Sequence, residues 1–317
     1  MEVEKFETYR PAAGGGDIFT RIWLPGQGEP LRALVQIAHG VAEHGGRYGE
    51  LAGFLAGHGY GVYAQDHMGH GKSVQNGIYG HFGDQDGWEN VIQDMKNLSA
   101  IMRKKYPELP LLLVGHSMGS ILTRCYIARG SSELAGAALI GPPGPNPMAG
   151  VGMRLAKRYC GKKGAAQPGR ELQHLIFGSY NRRIDGPRSG NDWLTRDAAV
   201  VAAFDGDSEC GFPLTNRGYY DMFTGMREVS SPKWAGQGRK TLPILILAGE
   251  EDPVGNYGKG PRKVAKTLTD AGVQDVGLKL YPGGRHEIFN ELNRQEVFGD
   301  LLQWMEKCIC AERGGIV

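Results

Sequence analysis

Short apolar runs alternate with longer amphipathic ones along most of this chain. IFTRIWL (18–24), ALVQIAH (33–39), YGVYAQ (60–65), PLLLVGH (110–116), GAALIG (136–141), PILILAG (243–249) and VGLKLYP (276–282) read as strands. Several are near-continuous Leu/Ile/Val runs, as expected of strands buried on both faces. Between them, GWENVIQDMKNLSAIMRKKY (87–106) carries Val91, Met95, Leu98 and Met102 at three- and four-residue spacing, one apolar stripe of a helix. RYGELAGFLAGHG (47–59) and FNELNRQEVFGDLLQWMEKC (289–308) behave the same way. This alternation predicts an α/β fold, a mostly parallel central sheet flanked by helices.

The alternation breaks at GPPGPNP (141–147), where four prolines in seven residues preclude a regular helix or a central strand. Beyond this break lie helical fragments and clustered charge. Residues 151–190 hold nine Lys/Arg against Glu171 and Asp185, although the whole chain is only +2. Strand-and-helix order resumes near Thr241. Residues 1–141 and 236–317 are therefore expected to form the core, and 142–235 an inserted helical cap or lid over the sheet's C-terminal edge. Within it, MAGVGMRLAKRY (148–159) places Met148, Val151, Leu155 and Tyr159 at helical spacing, with Arg154, Lys157 and Arg158 around them. Two readings fit: a cap helix burying its stripe on the core, or an amphipathic lid in peripheral contact with an anionic membrane.

Candidate chemistry begins at LLLVGHSMGS (111–120). Gly115-His116-Ser117-Met118-Gly119 fits the G-x-S-x-G nucleophile pattern. In a chain with 50 Gly the pentapeptide alone is weak evidence. Its context is stronger, because a buried apolar strand runs into it and SILTRCYIARG supplies a helix after it. A sharp strand-to-helix turn would expose Ser117 and leave the Met118 N–H in the helix's first turn, where it can stabilise an oxyanion. Serine also needs a base, and the base an orienting acid. Of nine histidines, His286 in YPGGRHEIFN follows the last strand. AGEEDPVG (248–255) ends the preceding one and offers Glu250, Glu251 and Asp252. Asp252 is favoured, since the two residues before it are needed to turn off the strand. The loop after ALVQIAH offers the Val41 N–H as second oxyanion donor, with Gly40 allowing close backbone approach.

With these residues in place the chain resembles a known superfamily. HGVAEHGGRYGELAGFLAGHGYGVYAQDHMGHGKS (39–73), GHSMGS (115–120), GEEDPVG (249–255) and YPGGRHEIFNE (281–291) look like the α/β-hydrolases. Within them the chain is similar to the monoacylglycerol lipase/lysophospholipase branch, grouped with the serine aminopeptidase-like hydrolases. The resemblance covers the core on both sides of the insertion, and HGxxEHxxRY is far more specific than the pentapeptide. It implies a triad of Ser117, Asp252 and His286 with Val41 and Met118 as oxyanion donors. It also implies that His116, Glu43 and Arg47 line or brace the polar end of a substrate pocket. The expected activity is hydrolysis of a lipid-like monoester through an acyl-enzyme, with no metal and no cofactor. A short-acyl esterase, a serine aminopeptidase and a catalytically silent binding protein of the same fold are the alternatives.

The remaining features narrow the class. A net charge of +2 gives no nucleic-acid footprint across the protein. GHGKS (69–73) imitates the end of a phosphate-binding loop, but Asp66 stands where that loop requires Gly. His67 and His70 suggest a metal only until a third ligand is sought. Five cysteines without framework spacing imply reduced thiols. MEVEKFETYRPAAGGG lacks the apolar core of a signal peptide, and no apolar run approaches the ~18–20 residues that span a bilayer. A cytoplasmic location is expected.

Overall fold

The computed structural model describes residues 3–12, 14 and 16–312, and every apolar run named above lies in a strand of one sheet. In chain order the strands are β1 (Val3–Tyr9), β2 (Ile18–Leu24), β3 (Ala33–Ala38), β4 (Tyr60–Gln65), β5 (Leu111–His116), β6 (Leu134–Ile140), β7 (Ile244–Gly249) and β8 (Val276–Tyr281). They pair in the order β1-β2-β4-β3-β5-β6-β7-β8. β2 runs antiparallel to both its neighbours, and all other pairs are parallel.

Helices cover both faces. α1 (Gly49–Ala56), α2 (Gly87–Lys105) and α3 (Met118–Ala128) precede β6. Alternation along β5 shows how the faces divide: Leu111 and Leu113 join the cluster of α2 and α3, whereas Leu112 and Val114 point to α1 and the C-terminal helix. Between β6 and β7 run α4 (Ala149–Lys163), α5 (Arg170–Phe177), α6 (Ala198–Gly206), α7 (Asn216–Ser230) and α8 (Lys233–Gln237). α7 packs on α4 but also on α2 and α3, and Tyr219, Met222 and Val229 belong to the same buried cluster as those core helices. α9 (Lys259–Asp270) and α10 (Arg294–Glu312) complete the chain.

Two elements depart from the pattern-based expectation. β1 has no counterpart in it, because Lys5–Thr8 are exposed and the strand is held by backbone pairing with β2. The final helix starts at Arg294, later than 289, because Ile288–Asn290 form a 3-10 turn.

The topology has one consequence for function. From β3 the chain crosses to β4 on one side, and from β5 to β6 on the other, so the loops after β3 and β5 diverge from adjacent strands. That opens a crevice at the carboxyl edge, the usual ligand position in such sheets. The loops after β7 and β8 end on the same edge.

Three histidines stand behind this edge. His39, His67 and His70 are wholly buried, with ring centroids 4.1 Å (His39–His67) and 5.2 Å (His39–His70) apart. His39 Nδ1–H donates to the Gly40 carbonyl at 2.7 Å while Nε2 accepts the His67 N–H at 2.9 Å, which fixes the neutral ring. Burial depresses all three: His67 to about 3, His70 to about 4, and His39 well below its ordinary value. Asp66 braces the same turn, accepting from Gly45 N, Lys72 N and Arg21 Nη1. The unfolded chain takes up protons on these rings below pH ~6.5 while the folded protein does not, so stability falls on acidification, by about 1.4 kcal/mol per pH unit for each ring. Urea unfolding between pH 7 and 4.5 is expected to show a pH slope smaller by about one proton in His70→Asn than in the wild type; equal slopes would contradict the assignment.

Candidate active site

Ser117 sits between the end of β5 and the start of α3 with φ +53° and ψ −114°, a region a non-glycine residue occupies only when its surroundings hold it there. Those surroundings are visible. Ser117 N donates to the Ile140 carbonyl at 2.9 Å, and its own carbonyl accepts from Ser120 N at 2.9 Å and Ser120 Oγ at 2.6 Å. Both glycines of the pentapeptide are sterically required. A Cβ on Gly119 would lie 2.0 Å from the Ala38 oxygen, and one on Gly115 would lie 2.2 Å from Thr123 Oγ1 and 2.3 Å from the Gly119 oxygen. α3 can therefore start directly against the end of β3.

The loop after β3 runs through Gly40 and Val41 to Ala42, which has φ +51°. Among the described residues, neither the Val41 nor the Met118 N–H enters a backbone hydrogen bond. Across the crevice, the turn after β7 buries Asp252 completely. Its Oδ2 lies 3.0 Å from His286 Nδ1, and its Oδ1 accepts the Val254 N–H at 2.8 Å. The His286 ring lies 5.2 Å from that of Trp193 and 4.8 Å from that of His116. Ser117, His286, Val41, Glu43 and His116 line one small cavity of ≈ 70 Å³. Ser117, Val41 and Met118 also line a larger one of ≈ 580 Å³, walled by Ile121, Leu155, Met222, Phe223 and Met226 and otherwise mostly apolar. Arg47 lines neither cavity.

Arg47 is instead the centre of a buried charge network. It meets Glu43 Oε2 at 2.7 Å and clasps both oxygens of Glu287 at 2.5 and 2.7 Å. Glu43 Oε1 accepts from Gly40 N (2.5 Å), Tyr48 Oη (2.8 Å) and His116 Nδ1 (3.2 Å). His116 Nε2 lies 3.4 Å from the His286 carbonyl. Both ring nitrogens of His116 thus face acceptors, the pattern of an imidazolium. Burial opposes each of these charges, but their mutual contacts win: Glu43 and Glu287 are held below the usual carboxylate range and His116 is raised.

Two participants escape a reading of motifs. Glu287 is one, although it directly follows His286; its partner is 240 positions away in sequence. Trp193 is the other. Its carbonyl accepts the His286 N–H at 3.4 Å, the next carbonyl, Leu194, accepts Glu287 N at 2.7 Å, and Arg285 Nη1 donates to the Asp192 and Thr195 carbonyls. An isolated tryptophan in a polar stretch was the available signal. Farther along, Gly211 N donates to the Ala42 carbonyl at 2.9 Å and His44 Nε2 meets Asp207 at 2.9 Å. His44, Asp207 and Cys210 hold three metal-ligand atoms within 4.8 Å of one another. His44 Nδ1, however, accepts the Gly46 N–H, so its proton sits on Nε2 and points at Asp207, occupying the atom a metal would need. None of the five cysteines forms a disulfide, and no helix among the described residues is long and apolar enough to cross a membrane.

Known proteins resemble this chain along most of its length. The family model described as serine aminopeptidase, S33, matches residues 29–293. The monoacylglycerol lipase of Mycolicibacterium smegmatis is 32% identical over 293 residues, covering 92% of this chain and 94% of that protein. The chain belongs to the serine aminopeptidase S33 family of α/β-hydrolases. Other likenesses agree. The monoglyceride lipase of Mus musculus is 28% identical over 307 residues, 96% of this chain and 91% of that one. The crystal structure of a thermostable carboxyl esterase from Bacillus coagulans superposes on this S33-family chain with a TM-score of 0.90, at 31% identity, covering 96% of this chain and 99% of that one.

In this S33-family chain the charge network generates a prediction. Arg47→Met leaves two buried carboxylates without their common cation, and is expected to cost about 3–5 kcal/mol in urea unfolding. Adding Glu287→Gln removes one of the orphaned charges and should recover part of that loss. A cost below about 1 kcal/mol would show that the pair is screened by solvent.

Proposed function

We propose that the protein is a serine carboxylic-ester hydrolase that cleaves monoacylglycerol-like esters through an acyl-enzyme on Ser117. The observation that carries this reading is the His286–Asp252 contact of 3.0 Å beside a cavity that Ser117 and His286 both line. His286 takes the Ser117 proton as the hydroxyl attacks the ester carbonyl, and returns it to the leaving alcohol. Asp252 holds the imidazole in the tautomer that leaves Nε2 free to accept. The N–H groups of Val41 and Met118 stabilise the tetrahedral oxyanion. Water, activated by the same histidine, then releases the acid. Glu43, Arg47 and His116 brace the polar end of the site.

The two cavities divide the substrate. The larger, mostly apolar one takes the acyl chain; at ≈ 580 Å³ it falls within the roughly 300–1,000 Å³ typical of ligand pockets. The ≈ 70 Å³ cavity takes the alcohol. Relatives named monoacylglycerol and monoglyceride lipase, and an esterase solved with glycerol, support a small polyol there. An aminopeptidase reading finds less support. The two glutamates lining the small cavity, Glu43 and Glu287, are both engaged by Arg47, and the larger cavity's charged residues are Lys259 and Lys263, so no carboxylate is left for a substrate ammonium.

Residues 142–235 serve as the cap in this reading. Met148, Val151 and Leu175 are 59%, 42% and 63% exposed and line the larger cavity, forming an apolar lip. Arg154, Lys157 and Arg158 are exposed on the same helix. An apolar lip with cations beside it suits peripheral docking on an anionic lipid surface.

Ser117→Ala is expected to lower kcat/KM by about 10⁴-fold or more, with the unfolding transition unmoved; near-normal turnover would overturn the assignment. Lys157→Glu with Arg158→Glu should weaken binding to anionic vesicles by about 1 kcal/mol per charge removed, leaving hydrolysis of a soluble short-chain ester unchanged. No salt-sensitive binding to anionic vesicles, or binding that this double variant leaves as tight, would refute docking through the basic helix.

A further inference from the structure

The basic surplus of residues 151–190 is not all accounted for by the lip. Arg183, at the end of a 3-10 turn, faces away from the acyl cavity, into a separate one of ≈ 200 Å³. That cavity lies between the inserted segment 180–196 and the two loops that carry Asp252 and His286, and Arg196 and Arg285 complete its basic wall.

The three guanidinium groups differ in how far they are neutralised. Arg196 is compensated: its Nε donates to Glu291 Oε2 at 2.8 Å and its Nη2 to Asn293 at 3.2 Å. Arg285 donates to two neutral carbonyls, Asp192 at 2.7 Å and Thr195 at 3.1 Å, and makes no direct ion pair among the described residues, although the Asp192 carboxylate lies within its field. Arg183 lies over the Tyr257 ring, 3.5 Å from its centroid, and makes no ion pair among the described residues. One acid, Glu251, lines the same cavity. Its backbone N–H is held by the Gly284 carbonyl at 2.8 Å and its side chain is exposed.

We propose that this cavity is an anion site for a phosphate-type group, held by Arg183 and Arg285 with the free edge of Arg196. Guanidinium forks match the oxygens of such a group. A volume of ≈ 200 Å³ accommodates a phosphate or a small phosphate monoester. The anion would bridge the inserted segment to the loop of His286. Trp193 borders both this cavity and the small catalytic one, so the bridge fastens the residue that packs on the His286 ring.

The test is isothermal titration of the full chain with inorganic phosphate, against chloride at matched ionic strength. Saturable binding to phosphate alone is expected, with a rise in Tm that follows occupancy. Arg183→Ala should weaken it at least tenfold while turnover of a soluble ester without phosphate stays unchanged. Glu251→Gln should tighten it, because a like charge is removed from the site. Glycerol 3-phosphate distinguishes the source: binding as tight as phosphate assigns a headgroup, and much weaker binding assigns a free anion. Phosphate behaving as chloride does, Arg183→Ala binding as tightly as wild type, or Glu251→Gln failing to tighten binding would each overturn the site.

Discussion

One guanidinium holds the reacting edge of this protein together. Glu43 comes from the loop after β3 and Glu287 from the loop after β8, and in a buried setting two carboxylates so placed repel each other strongly. Arg47, between them, turns that repulsion into a tie. Everything nearby takes its position from it. Glu43 holds the Gly40 N–H and so the start of the loop that presents Val41. Through His116 it reaches the backbone of His286, and Glu287 is the next residue along. The loop of Val41, the strand end that carries Ser117 and the loop of His286, to which the proposed mechanism gives oxyanion donor, nucleophile and base, are thereby set against one another by charge as well as by sheet register.

The second constraint is steric. α3 begins at Met118 with its backbone against the end of β3, where only Gly fits at 119, and Ser117 holds positive φ in the turn before it. The segment between β6 and β7 then acts on the two sides of the site differently. Residues 192–196 pair with the His286 loop, and 207–211 with the Ala42 loop, so the polar side is fastened to the core. On the other side α4 and α5 border the larger cavity with exposed apolar residues.

The sheet was legible because its central strands are buried on both faces and so appear as unbroken apolar runs. That Ser117, Asp252 and His286 lie on one edge was legible for a related reason, since each follows such a run and the carboxyl ends of parallel strands share that edge. The features that were not legible depend on contacts without a local pattern. Arg47 and Glu287 pair across most of the chain, and nothing in either stretch marks the other. Trp193 reads as an isolated aromatic until 192–196 is seen pairing with the His286 loop. β1 carries no apolar signal because Lys5–Thr8 are exposed. The basic cluster was visible as charge, but its division between the helix at the mouth of the larger cavity and a separate cavity at Arg183 is a matter of folding.

The central claim is that Ser117 is the nucleophile of an ester hydrolase, and covalent capture tests it most directly. A fluorophosphonate reports an activated serine because it bonds covalently to the attacking oxygen. Intact-mass measurement after labelling, followed by peptide mapping, should show one adduct per chain, on Ser117. An adduct on another residue, or none while the protein still hydrolyses a monoacylglycerol, would contradict the account.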